Sequence, residues 1–422
     1  MRFLYTLLLW AALPGMLWRL WRRGRRQPEY LQHMGERFGR FPPAPSQPVI
    51  WIHAVSLGET RAALPLVRRL MERHPDHAIL LTHMAPTGRA TAEELFGDRV
   101  LPCHLPYDYP FAVARFLDHF RPRLGIIMET ELWPNLILAC RRRGIPVFLV
   151  NARLSERSAA GYARVRPLAR GILEALAGVS AQTEADAVRL RALGAPAVEV
   201  SGSIKFDFAP PQAQLALGAE LRARFGSGRT VFLAASTREG EEAIVLDALA
   251  RVQVPGLLAV LVPRHPRRFM EVAAELERRR IPFQRRSDEG PVAPDTRVVF
   301  GDSMGEMFAY YEACDVAFVG GSLLPLGGQN LIEACAVGKP VLVGPHTFNF
   351  EEATRLAVEA GAAQRVADGE ELADQVTRLL QDPARRRAMG EAGLAFAARH
   401  RGATERILRL VEPALGATSA PG

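Results

Sequence analysis

Short β-forming runs alternate with amphipathic helical stretches along most of this chain, in two separate series. Val49–Val55, Ala78–Met84 and Leu124–Met128 are near-continuous apolar runs, the pattern of strands buried on both faces of a parallel sheet. Val147–Val150 and Val198–Ser201 continue the series, with helices expected at Arg61–Arg73, Asn135–Arg143 and Glu184–Leu193. A strand followed by a covering helix is a βαβ unit, and its repetition builds a doubly wound sheet. The rhythm breaks between Asp207 and Arg229, where a Pro-Pro pair, a polar helix-like stretch and a Gly-Ser-Gly turn read as an interdomain crossing. It resumes with Thr230–Ala235, Leu257–Val262, Arg297–Phe300, Val316–Val319 and Val341–Val343, and the tail after Pro383 reads as helical to about Leu410. A length of 422 residues suits two such domains, each with its own core.

Composition narrows the chemistry. The net charge is +8 and arginine dominates the basic residues, which favours an anionic partner. No zinc-finger or RNA-binding signature accompanies it, so nucleic acid is not expected. Cys103, Cys140, Cys314 and Cys335 stand alone and read as buried free thiols in a reducing compartment. The histidines form no HExxH and no metal-ligand cluster, and no D-x-D occurs, so neither a metal nor another cofactor is expected.

The first residues point to a membrane. Residues 3–18 are almost wholly apolar, and Arg19, Arg22, Arg23, Arg25 and Arg26 follow. A secretory signal carries its charge before the apolar run, so the order here is reversed. The run is short for a comfortable span and contains Pro14 and Gly15, so it reads as a short anchor or as an interfacial helix, with a helix packed on the protein's own core as the plainer alternative. In both cases the arginines hold the downstream chain on the cytoplasmic side.

Candidate chemistry gathers at strand ends, where open parallel sheets bind ligands. The first strand runs through Ser56, Gly58, Glu59 and Thr60 straight into a helix. Glu59 can take a proton from a hydroxyl there, or simply favour the helix N-terminus from its first turn. Glu129-Thr130-Glu131-Leu132-Trp133 follows the Leu124–Met128 strand, and two carboxylates at a strand end are costly to bury without a partner. Lys205 and the Asn151–Arg157 stretch add basic groups. In the second series, Ser236-Thr237-Arg238, Pro263-Arg264-His265, Ser303-Met304-Gly305-Glu306 and the glycines before Asn330 and Glu333 mark four strand-to-helix junctions. Glycines before a helix expose N–H groups to a phosphate, and a first-turn carboxylate suits ribose hydroxyls.

The segments WIHAVSLGET, METELWPN, NARLSERSAAGY, GSIKFD, ASTREGEE, LVPRHPRR, DSMGEMF, FVGGS, GGQNLIEA and GPHTFNF together resemble the Kdo (3-deoxy-D-manno-octulosonic acid) transferases of lipopolysaccharide synthesis. The resemblance runs in order along nearly the whole chain. It implies a GT-B fold: two Rossmann-like domains with a cleft between them, plus an N-terminal membrane-associated helix. It implies inverting transfer of Kdo from CMP-Kdo to the lipid A precursor (lipid IVA), at the cytoplasmic side of the inner membrane and without a metal. By the same resemblance Glu59 matches the general base, and Glu129 and Lys205 match residues that support the transition state. Pro263, Arg264, Met304, Gly305, Glu306, Asn330, Leu331, Ile332 and Glu333 match the CMP-binding elements. Gln329 and Arg238 depart from the family pattern, which favours histidine at both. The expected divisions are a membrane anchor at 1–27, an acceptor domain at 28–208, a linker at 209–229 and a donor domain with C-terminal helices at 230–422. Another nucleotide-sugar enzyme of the same fold, such as a 2-epimerase, is the nearest rival reading. A non-catalytic nucleotide- or lipid-binding scaffold is the rival from another class. A dehydrogenase is disfavoured, because no GxGxxG follows the first strand.

Overall fold

The computed structural model describes residues 2–226, 228–288 and 290–416. Ser227 of the Gly-Ser-Gly turn, and residues 417–422 of the expected donor domain, lie outside the described residues. The chain divides into two compact units, Met1–Phe208 with Arg401–Gly422, and Ala209–His400.

The first unit is built on seven strands: β1 (Val49–His53), β2 (Ala78–His83), β3 (Leu101–His104), β4 (Leu124–Met128), β5 (Val147–Ala152), β6 (Gly178–Ala181) and β7 (Val198–Val200). Their order is β3-β2-β1-β4-β5-β6-β7, and every pairing is parallel. The apolar runs explain this, because a parallel sheet needs helices on both faces and therefore strands that are apolar on both. β1 and β4 are buried at every position. Separate apolar clusters fill the two sides, one including Trp51, Phe116 and Leu149, the other Ile50, Ile126 and Val150. Gly125 is required beside the largest of these side chains. A Cβ there would sit 2.5 Å from the Trp51 ring.

The second unit repeats the design with β8 (Thr230–Thr237), β9 (Leu257–Pro263), β10 (Phe283–Arg285), β11 (Val298–Phe300), β12 (Val316–Val319), β13 (Val341–Val343) and β14 (Ala363–Arg365). The order is β10-β11-β9-β8-β12-β13-β14, again wholly parallel. Four strands were not expected from the sequence: β3, β6, β10 and β14. Each has three or four residues, and three of them are sheet edges, where a strand needs no long apolar run.

Two expectations need correction. The helix-like stretch expected to lie in a linker is the helix Gln212–Phe225, but it belongs to the second unit and buries Leu221 and Phe225 there. The last helices, expected with the second domain, return to the first. Ile407, Leu408 and Val411 of helix Ala403–Val411 sit in the same apolar cluster as Ile50 and Ile126. Asp207 fixes that return: its carboxylate accepts the Gly402 N–H at 2.6 Å and the Thr404 N–H as well. Capping of this kind contributes about 1–2 kcal/mol. Asp207→Ala is expected to lower the denaturant midpoint accordingly and to speed amide exchange at Ile407 and Leu408. Unchanged exchange would show that apolar packing alone holds the helix.

Candidate active site

In the first unit the chain order reverses between β1 and β4, the place where adjacent connections diverge and leave a crevice at the strand ends. β1 leads through Ala54, Val55 and Ser56 into α2 (Leu57–Arg73). Ser56 is the N-cap, its hydroxyl accepting the Glu59 N–H, and Glu59 is the third helical residue. The Val55 N–H donates to Glu59 Oε2 at 2.8 Å, and the Ser56 hydroxyl donates to Oε1 at 3.2 Å. Glu59 therefore serves the helix N-terminus and also stays partly exposed. Burial pushes its carboxyl up to about 7, helped by the charges of Glu129 and Glu131 and opposed by the two hydrogen bonds.

The Glu129 and Glu131 carboxylates arrive from the end of β4. Glu129 has φ 58°, an uncommon left-handed conformation for a residue with a Cβ. Its N–H is held by the Val150 carbonyl at 2.9 Å, and the Thr130 hydroxyl donates to the Arg153 carbonyl. Burial and the Glu129 charge raise the Glu131 carboxyl as well. Lys205 comes from beyond β7, and its Nζ lies 3.8 Å from Glu129 Oε1. Asn151, buried at the end of β5 with φ 51°, positions that segment by accepting the Ile204 N–H at 3.1 Å. The fold thus gathers Glu59, Glu129 and Lys205 with Glu131, which sequence reasoning quoted but did not place among the site residues.

The second unit reverses between β8 and β12. Here a buried carboxylate shapes the rim. Glu241 accepts N–H groups from Arg238 at 2.9 Å, Ser322 at 2.8 Å and Leu323 at 2.9 Å, and from Gly321. It clamps the loop after β12 onto the loop after β8. Gly320 makes that approach possible, since a Cβ there would lie 2.7 Å from Thr237 Cα. Sequence reasoning missed Glu241; its only signal was an acid in the first helical turn. Pro263 ends β9 in register with Thr237, and the Arg264 N–H donates to the Thr237 carbonyl at 2.9 Å. The His265 imidazole is held below its usual range by burial first, then by the charges of Arg238, Arg264 and Arg267. This rim is strongly cationic.

The other expected donor residues divide into two groups. Glu306 pairs with Arg286 at 3.1 Å and accepts the Ser303 hydroxyl at 2.6 Å, leaving Met304 exposed on a turn with Gly305 at φ 79°. Asn330 donates to Glu333 at 3.1 Å and accepts the Ile332 N–H at 3.1 Å. Leu331 and Ile332 are buried, so their side chains serve the core. The helix they open is short, Ile332–Ala336, which limits its dipole. Glu333 and Arg264 both act electrostatically on the buried Tyr311, which brings the two segments to one place. Among the described residues, no group of three or more His, Cys, Asp or Glu is arranged to hold a metal ion.

Residues 32–208 match the family described as 3-Deoxy-D-manno-octulosonic-acid transferase (kdotransferase), and residues 277–396 match glycosyl transferases group 1. The chain is 48% identical to the 3-deoxy-D-manno-octulosonic acid transferase of Bordetella pertussis, covering 98% of this chain and 100% of that one. It is 39% identical to the enzyme of the same description from Haemophilus influenzae, covering 98% and 99%. Among solved structures, Anabaena Alr3699/HepE in complex with UDP aligns with a TM-score of 0.59 at 16% identity, covering 87% of this chain and 100% of that one. That likeness concerns the fold, which is GT-B.

The raised Glu59 carboxyl has a consequence for stability. Its proton affinity is higher folded than unfolded, so ionising it opposes folding. The cost is absent below about pH 4.5, grows as pH rises and is complete above about 7. At full size it is about 3 kcal/mol. Glu59→Gln is expected to unfold at a higher temperature than the native protein at pH 8 and at an equal one at pH 4.5. An equal midpoint at both would mean Glu59 titrates as if in water.

Proposed function

The chain belongs to the 3-deoxy-D-manno-octulosonic acid (Kdo) transferase family, and from that premise we propose that it moves Kdo from CMP-Kdo onto the lipid A precursor, lipid IVA, without a divalent metal, at the cytoplasmic surface of the inner membrane. It is a glycosyltransferase of lipopolysaccharide synthesis; the donor, the acceptor, the residue roles and the location are the proposal. The observation that carries it is Glu59, a partly buried carboxylate at a strand-order reversal with its pKa at about 7. A base of that strength keeps a useful ionised fraction at neutral pH and still accepts a proton well.

In the proposed step, Glu59 takes the proton of the acceptor hydroxyl as its oxygen attacks the anomeric carbon of Kdo. The bond from that carbon to the phosphate oxygen breaks, and CMP leaves with the electron pair. Attack opposite the leaving group inverts the centre. Lys205 beside Glu129 supplies an oriented ion pair near the reacting sugar. Arg264, with Arg238 nearby, stabilises the departing phosphate, a task for which a cationic rim suffices when the leaving group is a monophosphate. Pro263, the turn from Met304 to Glu306 and the backbone from Asn330 to Ile332 hold the cytidylate, with Glu333 on its ribose. The domain division proposed with this reading is an acceptor unit at 28–208, to which the tail from Arg401 returns, and a donor unit at 209–400.

Incubation of purified protein with CMP-Kdo and lipid IVA, with and without EDTA, tests the reading, and product mass counts the sugars added. Glu59→Gln is expected to lose at least 100-fold in transfer rate while binding CMP unchanged. For the native protein, kcat/KM is expected to rise with pH through about 7, because the base works only when ionised. A Glu59→Gln protein within a few-fold of native rate would remove the assignment of the base. Loss of transfer in EDTA would remove the metal-free step alone.

A further inference from the structure

The first helix, α1 (Arg2–Gly24), is long and apolar enough to cross a membrane. Its contacts, however, run along its whole length. Arg2 Nε donates to Asn135 Oδ1 at 2.8 Å, and Asn135 Nδ2 donates to the Thr6 hydroxyl at 3.0 Å. The Tyr5 hydroxyl donates to Asp108 Oδ2 at 3.0 Å, and the Tyr109 hydroxyl donates to the Leu9 carbonyl at 2.8 Å. Leu9, Leu13 and Met16 pack on Tyr107, Tyr109 and Ala112. Leu20 and Gly24 are buried, the latter so close to Leu31 that a Cβ would lie 2.3 Å from its Cγ. Residues 2, 5, 6, 9, 13, 16, 20 and 24 form one helical stripe, and the stripe is docked from end to end.

The opposite face is apolar and open. Phe3 is 82% exposed and Leu8 60%, with Leu4, Leu7, Trp10, Leu17, Trp18 and Trp21 alongside. The patch continues off the helix onto Phe111, stacked on Trp10 at 5.9 Å. Five arginines edge it at one end, Arg22 lying over Trp18 and Arg25 over Trp21, both at 5.2 Å. No acidic residue precedes Glu29.

We propose that α1 lies flat on the membrane as a fixed part of the first unit, its docked stripe on the protein and its outer face in the headgroup layer of an anionic bilayer, and that it does not span. A spanning helix would have to leave the stripe, baring Asp108, Asn135, Tyr107 and Tyr109 and placing Arg2 across the bilayer. Tryptophans beside arginines, without acids, are the composition of an interfacial helix facing anionic lipid. The docking also reaches the site. Asp108, buried, accepts the N–H groups of Asn135 and Leu136 at 2.8 Å each, so the carboxylate that holds Tyr5 also caps the helix that follows Glu129–Trp133. This deepens the membrane location in the proposed function and rests on it.

The test uses nitroxide labels on cysteines introduced singly at Phe3, Ala11 and Trp18, since the four native cysteines are buried. Depth is read by power saturation on vesicles containing one-quarter phosphatidylglycerol and on pure phosphatidylcholine. All three labels are expected at one shallow depth, with partition at least tenfold stronger on the anionic vesicles. Arg22→Glu with Arg25→Glu is expected to remove most of that preference. Ala11 at the bilayer centre would overturn the proposal, as would equal partition on both vesicles. So would labels that stay dry while the protein self-associates through this face. Transfer of Kdo to acceptor in detergent micelles, measured on the same proteins, separates the two readings: shallow labels without transfer would sink the proposed function and leave the flat helix standing.

Discussion

A parallel sheet covered by helices on both faces leaves only the rims where its strands end, and every reactive group of this chain depends on that constraint. Consecutive connections from neighbouring strands normally follow the same direction and close over the rim. At β1 and β4, and again at β8 and β12, the order turns and the connections part. Loops at these two places cannot pack over one another, so polar side chains there keep access to solvent and ligand. Glu59, Glu129 and Lys205 lie at or near the first reversal, and the arginines around His265 gather at the second.

Carboxylates brace the loops around these rims, two of them buried and Asp207 half-buried, each by accepting backbone N–H groups. Glu241 takes four, Asp108 takes two along with a tyrosine hydroxyl, and Asp207 takes two. An acid with that many donors is a structural clamp whose removal leaves several orphan groups at once. Glu59 differs in degree. It accepts one backbone N–H and one hydroxyl, both local, and keeps part of its surface open.

Much of this was legible in the sequence because strands buried on both faces must be apolar at nearly every position. β4, β12 and β13 appear with the expected boundaries, as does helix Glu184–Leu193. The short edge strands were invisible, since a segment such as Phe283–Arg285 with two polar residues carries no period to detect. The supposed linker failed as a reading because Pro-Pro marks the start of helix Gln212–Phe225 rather than a gap. The return of helix Ala403–Val411 to the first unit is a long-range event, decided by Asp207, 195 residues before Gly402, and by an apolar cluster that includes Ile50 and Ile126, and no local pattern announces it. The site residues lay in recognisable segments, but their convergence depended on strand order. Lys205 meets Glu129 because β7 and the loop after it fold back along a rim that the sequence does not draw.

The proton affinity of Glu59 is set by its surroundings more than by its own contacts. Two hydrogen bonds favour the ionised form, and alone they would hold the carboxyl below its ordinary value. Burial overrides them, and the charges of Glu129 and Glu131 add to it. Those charges are themselves not fixed. Lys205 beside Glu129 weakens the field that Glu129 casts on Glu59, so a base with useful strength at neutral pH requires a balance among four groups drawn from three strand ends. Moving any one of them would retune the Glu59 carboxyl without a change at Glu59 itself.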